Sequence, residues 1–121
     1  MSKVMPTELN LHRHSRVLEI SFDNGDHYNL SCEYLRVFSP SAEVQGHGPG
    51  QETLQVGKED VNIEQITPVG NYAVCLHFDD GHNTGIYSWD TLYTLGKNQE
   101  ENWQKYLAAL EKAGHKRKAD N

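Results

Sequence analysis

The chain has 121 residues, 36% of them hydrophobic, with 11 basic and 17 acidic side chains and a net charge of −6. That size suits one domain with one modest core. The acidic balance disfavours nucleic acid as the main partner, because phosphate neutralisation drives such binding, and no run approaches the roughly 20 apolar residues of a membrane helix.

Residues 1–8 read as a flexible N-terminus. The start MSKVMPTELN has no apolar signal-peptide region. With two cysteines, Cys32 and Cys75, this points to a cytoplasmic protein with reduced thiols. Leu9 and Leu11 alternate with Asn10 and His12, which starts a first strand near Leu9. His12 and His14 share a strand face by spacing. Such a pair could be half a metal site; the preferred reading is the polar side of an exposed edge strand.

Val17–Phe22 and Asp26–Leu30 form a hairpin about Asp23-Asn24-Gly25. Ser31 or Cys32 then opens a helical turn through Leu35. Arg36–Gln51 is a long loop punctuated by Pro40 and the Gly46-His47-Gly48-Pro49-Gly50 run. Loops of that length tend to be functional or mobile. No lysine stands beside its glycines and no helix follows, which excludes a phosphate-binding loop. Leu54 and Val56 alternate as strand material. Ile63, Ile66 and Val69 do not alternate cleanly, which predicts a bulge near Gln65 on a strand that Pro68 places at an edge.

Tyr72–Leu95 is the clearest stretch: a strand carrying Val74, Leu76 and Phe78, a turn at Asp80-Gly81, a second strand at Ile86, and a helix capped by Ser88. It repeats the first hairpin at an offset of 56, with Ile20 matching Leu76, Phe22 matching Phe78 and Gly25 matching Gly81. Trp103, Leu107 and Leu110 define a C-terminal amphipathic helix over 98–114, stopped by Gly114 and expected to cover the open face of a sheet. The basic run from His115 to Lys118 opens a disordered tail over 115–121. The fold class is α+β: small antiparallel or mixed twisted sheets from two pseudo-repeated β-hairpin–helix units, with the amphipathic helix added.

Leu35-Arg36-Val37-Phe38-Ser39-Pro40-Ser41-Ala42-Glu43-Val44, followed by Asp80-Gly81-His82 and Tyr87-Ser88-Trp89-Asp90-Thr91-Leu92, resembles the gamma-butyrobetaine hydroxylase-like N-terminal domain family. Stand-alone bacterial members of that family are domains of unknown function. The resemblance spans Leu9 to about Leu95 and implies a domain over 9–97. In the hydroxylases it implies a structural zinc on three Cys and one His. The three cysteine positions here hold Ser39, Ser41 and Val44, and the histidine position is His82, so the expectation is no zinc and no cofactor. Glu43 and His47 with His82 offer a different set of N and O ligands. The family domain also occurs fused to ATPases of the iron–sulfur carrier type, which implies a role in metal or cluster maturation by association.

Three functions follow. The first is a non-catalytic interaction module, monomeric, with an unidentified protein partner and no membrane. Its surface is the Ser39–Gly50 loop with Arg36, Ser39, Ser41, Glu43, His47, His82 and Trp89. Arg36 serves there or pairs with Glu33 or Asp90. The second is a metal- or iron–sulfur-handling accessory protein using His82 with His47, Cys75 or His77. The third is a small enzyme, with Cys75 as nucleophile, His77 or His82 as base, and Asp79 or Asp80 as orienter. The sequence favours the first, hence not an enzyme.

Overall fold

The structure, a computed structural model, describes residues 4–46 and 50–117; residues 1–3, 47–49 and 118–121 lie outside it. Among the described residues the chain forms six strands and four helices. Strands β1 (Pro6–His12), β2 (Val17–Phe22) and β3 (His27–Ser31) make one antiparallel sheet in the order β1-β2-β3. Helices α1 (Cys32–Val37) and α2 (Ala42–Gln45) follow. Strands β4 (Ile63–Val69), β5 (Ala73–Phe78) and β6 (Gly85–Ser88) make a second antiparallel sheet in the order β4-β5-β6. Helices α3 (Trp89–Lys97) and α4 (Gln99–Lys112) complete the chain.

Alternation decides the inner faces. Leu18, Ile20 and Phe22 of β2, and Val74, Leu76 and Phe78 of β5, are buried in one cluster with Leu35 of α1 and Leu92 of α3. Each sheet hands over to a serine-capped helix. The Ser31 hydroxyl accepts from Tyr34 N–H on α1, and that of Ser88 accepts from Thr91 N–H on α3. The two units are joined through buried phenols. Tyr34 of α1 donates to the Leu95 carbonyl of α3 at 2.6 Å. Tyr87 of β6 donates to the Leu35 carbonyl of α1 at 2.5 Å.

The bulge expected near Gln65 is present as a register shift between Ile63 and Gln65, and β4, with Pro68, is an edge strand. Several expectations are corrected. The first strand begins at Pro6, before Leu9, because β1 continues its pairing along β2 as far as Phe22. It ends at His12, since the chain turns over Arg13–Arg16 with Arg16 at φ 58; His14 therefore shares no strand face with His12. Leu54 and Val56 lie in no strand. Leu54 packs beside α4, and Val56 is exposed. The long loop contains a turn of helix, α2, capped by Ser41. The C-terminal helix packs Tyr106 and Leu110 against Val37 of α1, not across an open sheet face.

Candidate functional site

After α1 ends, residues 39–43 run beneath the β5–β6 turn. Gly81 at φ +90 makes that turn possible. Its N–H donates to the Phe78 carbonyl at 3.2 Å, while Phe78 N–H donates to the His82 carbonyl at 2.9 Å. The His82 backbone N–H donates to Asp80 Oδ1 at 3.1 Å. These bonds aim the imidazole of His82 inward, where it is buried.

There it lies between two groups from the α1–α2 connection. Nδ1 stands 3.0 Å from Glu43 Oε1, and Nε2 stands 2.8 Å from Ser39 Oγ. A carboxylate only accepts, so Nδ1 carries the hydrogen and the neutral ring accepts from the Ser39 hydroxyl through Nε2. Burial, then the nearby Arg36 cation, holds the His82 imidazole below its ordinary value, against the pull of Glu43 and Asp80. The ring is therefore neutral at neutral pH.

The network closes on itself. The Thr84 hydroxyl donates to Glu43 Oε1 at 2.7 Å, so the Ser41 hydroxyl donates to Thr84 Oγ1, also at 2.7 Å. Ser41 N–H donates to Ser39 Oγ at 3.2 Å, and the Gln45 side chain donates to the Ser39 carbonyl at 2.8 Å. At Gly85 an added Cβ would lie 2.7 Å from Ser39 Oγ, so only glycine fits against the network.

Beside it lies a charged arrangement. Arg36, almost wholly buried, donates from Nε to Asp80 Oδ2 at 2.9 Å and from Nη1 to Gln55 Oε1 at 2.9 Å. Lys58 Nζ donates to the same Asp80 oxygen at 2.6 Å. Desolvation pushes the Asp80 carboxyl up. The Lys58 ammonium, the His82 N–H and the Arg36 guanidinium outweigh it and hold the carboxyl at about 2. Arg36, Gln55, Asp80, Glu43 and His82 line a cleft of about 250 Å³.

The structure thus brings together Arg36, Ser39, Ser41, Glu43 and His82. It sets Trp89 apart, because its indole donates to the Asn71 carbonyl at 2.9 Å at the opposite end of β5. His47 lies outside the described residues. Arg36 pairs with Asp80, not with Glu33 or Asp90, and Glu33 pairs with Arg117. Lys58, Gln55, Thr84 and Gln45 belong to the site and carry no signal in the sequence. The enzyme set does not assemble. Cys75 Sγ faces the Asn83 carbonyl, His77 bonds Thr67 Oγ1, and Asp79 Oδ1 accepts from Asn62 N–H. Burial pushes the Cys75 thiol up, away from thiolate.

Zinc does not fit the positions given by the resemblance. Ser39, Ser41, Val44 and His82 supply two hydroxyls, one imidazole and a buried isopropyl group, and the hydroxyls and imidazole already bond one another. No three His, Cys, Asp or Glu residues among the described ones form a group that could hold a metal ion.

The sequence pattern of the family described as gamma-butyrobetaine hydroxylase-like, N-terminal, matches residues 9–93. This chain belongs to that family. Three solved structures share its fold. One, a protein solved by solution NMR, is 58% identical, with a TM-score of 0.82 over 96% of this chain and 86% of its own. A second NMR structure is 43% identical, with a TM-score of 0.84 over 99% and 94%. The third is a crystal structure from Acidithiobacillus ferrooxidans ATCC 23270, described as a protein with unknown function of the DUF971 family. It is 40% identical, with a TM-score of 0.65 over 76% of this chain and 92% of that one. No curated protein matches the chain.

Proposed function

We propose that this chain is a non-catalytic interaction module, and that its contact surface is presented by Glu43 at the rim of the cleft, held from beneath by Arg36 and His82 and continued by the Ser39–Gly50 loop. The supporting observation is the closed network beneath that rim. Ser39, His82 and Glu43 stand in the order of a hydroxyl–imidazole–carboxylate relay. Yet Ser39 is 0% exposed, and a nucleophile must touch its substrate. On this reading the network stiffens a surface and performs no chemistry. Glu43, 64% exposed on its side chain, presents that surface to solvent.

The partner is a protein with a basic or neutral face, in keeping with the net charge of −6. The chain acts as a monomer, without zinc, nucleic acid or a membrane. It works in the cytoplasm, where the thiols of Cys32 and Cys75, which are not bonded to each other, stay reduced. We take its two sheet–helix units as copies of one ancestral unit, on the strength of their matched turn bonds.

A photo-crosslinking residue at Glu43, with another at Tyr72 as a distant control, tests the surface. One protein captured from Glu43, absent from Tyr72 and lost in Arg36→Ala, is the expected result. Equal capture from both positions would place the surface elsewhere. Ester hydrolysis abolished by both Ser39→Ala and His82→Ala would overturn the non-catalytic reading.

A further inference from the structure

Residues 115–117, after α4, fold back onto the body of the domain. Gly114, at φ +80, turns the chain, and His115 N–H donates to the Leu110 carbonyl at 2.9 Å. Two residues later Arg117 reaches back to α1. Its Nε donates to Glu33 Oε2 at 2.9 Å and its Nη2 to Glu33 Oε1 at 2.5 Å. The guanidinium lies over the Trp103 ring, 5.3 Å from its centre.

A paired carboxylate and an aromatic face are the two elements that distinguish a guanidinium from an ammonium. The fork geometry matches both carboxylate oxygens, and the planar cation stacks on the ring. Both elements come from regular structure, Glu33 from α1 and Trp103 from α4, whereas Arg117 comes from a segment outside any helix or strand. The Glu33 side chain is only 8% exposed, so its charge demands a cation. The cleft around it measures about 420 Å³, and Glu100 adds a second acid to its lining.

We propose that the α1–α4 cleft is a binding site for an arginine side chain of a partner polypeptide, and that Arg117 occupies it in the free protein as an internal stand-in. The chain's own tail shows how the ligand sits, and the acidic lining supplies the complementary charge. This site shares no lining residue with the cleft at Arg36 and His82. Either proposal can therefore fail without the other.

The test uses the tail's own sequence as the probe, an N-acetylated, C-amidated His-Lys-Arg-Lys peptide, and the same peptide with Lys replacing Arg. Binding is read from the indole N–H signal of Trp103 in NMR spectra, with Trp89 as internal reference. Arg117→Ala is expected to bind the arginine peptide saturably, moving Trp103 and not Trp89. Wild type should bind at least about tenfold more weakly, because the tethered Arg117 competes at a high effective concentration. The lysine peptide, and the double variant Glu33→Gln/Arg117→Ala, should show about tenfold weaker binding or none.

Should Arg117→Ala unfold, Arg117→Lys keeps a cation on Glu33 while losing the fork. It must then bind the arginine peptide more tightly than wild type does. Equal binding of the two peptides, binding retained without Glu33, or no saturable Trp103 shift in the folded variant would overturn the proposal.

Discussion

At the β2–β3 turn, Phe22 N–H donates to the Asp26 carbonyl at 2.9 Å and Gly25 N–H to the Phe22 carbonyl at 3.1 Å. At the β5–β6 turn, Phe78 and Gly81 repeat those bonds with His82 and Phe78 at 2.9 and 3.2 Å. Each turn also receives one side chain from the other unit's helix. Tyr93 of α3 donates to Asp26 Oδ2 at 2.5 Å, and Arg36 of α1 donates to Asp80 Oδ2 at 2.9 Å. Around the first turn the filling is aromatic. Tyr93 meets Phe22 edge-on at 5.1 Å and Tyr28 at 6.0 Å. Around the second it is charged and hydroxylic. Backbone hydrogen bonding and a glycine define the turn. The side chains above it are free to differ, and the polar version holds the carboxyl pushed furthest from its ordinary value, Asp80.

The largest test of this likeness is in the core. Phe22→Ala and Phe78→Ala should each cost about 3–5 kcal/mol in urea unfolding, since both rings are almost wholly buried. Costs differing by more than about 2 kcal/mol would break the equivalence of the two units.

Next comes the reach across units. Arg36→Ala should cost about 1–3 kcal/mol, because it strips a buried partner from Asp80, although Lys58 remains. Tyr93→Phe should cost less, and the reverse order would mean that the aromatic turn is the more tightly held.

Acid sharpens the contrast. The Asp80 carboxyl in the folded chain sits at about 2, below its ordinary 3.8. Its stabilisation is therefore complete above 3.8 and lost as pH falls toward about 2. Asp80→Asn should flatten the stability profile in that window. Asp26, lowered first by the Tyr93 hydroxyl, acts in the same direction, and Asp26→Asn should flatten the profile less. A steeper effect from Asp26→Asn would reverse the ranking of the two turns.

A smaller effect concerns His82. Its value lies below the ordinary 6.5, so the neutral ring stabilises the fold fully above 6.5, and this contribution is lost as pH falls through its folded value. In NMR titrations Arg36→Ala should raise that value by removing a nearby cation, and Glu43→Gln should lower it. Movement in the opposite directions would place the ring in a different electrostatic setting. Least of all, dialysis against a chelator should leave the thermal midpoint unchanged. A fall would show that a metal supports the fold.

Much of this was legible in the residues. Alternation and the glycines located both turns, and Ser88 announced α3. The bulge near Gln65 and the edge position of Pro68 were readable because each breaks a local rule. The helix within the long loop was not, since its four residues are too few to establish a period, although Ser41 is a good cap. The site was half visible. Family motifs point to Ser39, Ser41 and His82, but the Arg36–Asp80 pair joins residues 44 apart, and no local pattern encodes it. Trp89 was misplaced for the complementary reason: it sits in a family motif, yet β5 separates it from the loop.

The buried tyrosines that join the two units bear on how the chain could be divided. A cut between the sheets would leave Tyr34 on one piece and its Leu95 acceptor on the other, and would likewise part Tyr87 from Leu35. Each fragment would hold a phenol with no acceptor and half of an apolar interface. Expressed separately, the pieces should be unfolded; mixed, they should reassemble into one molecule.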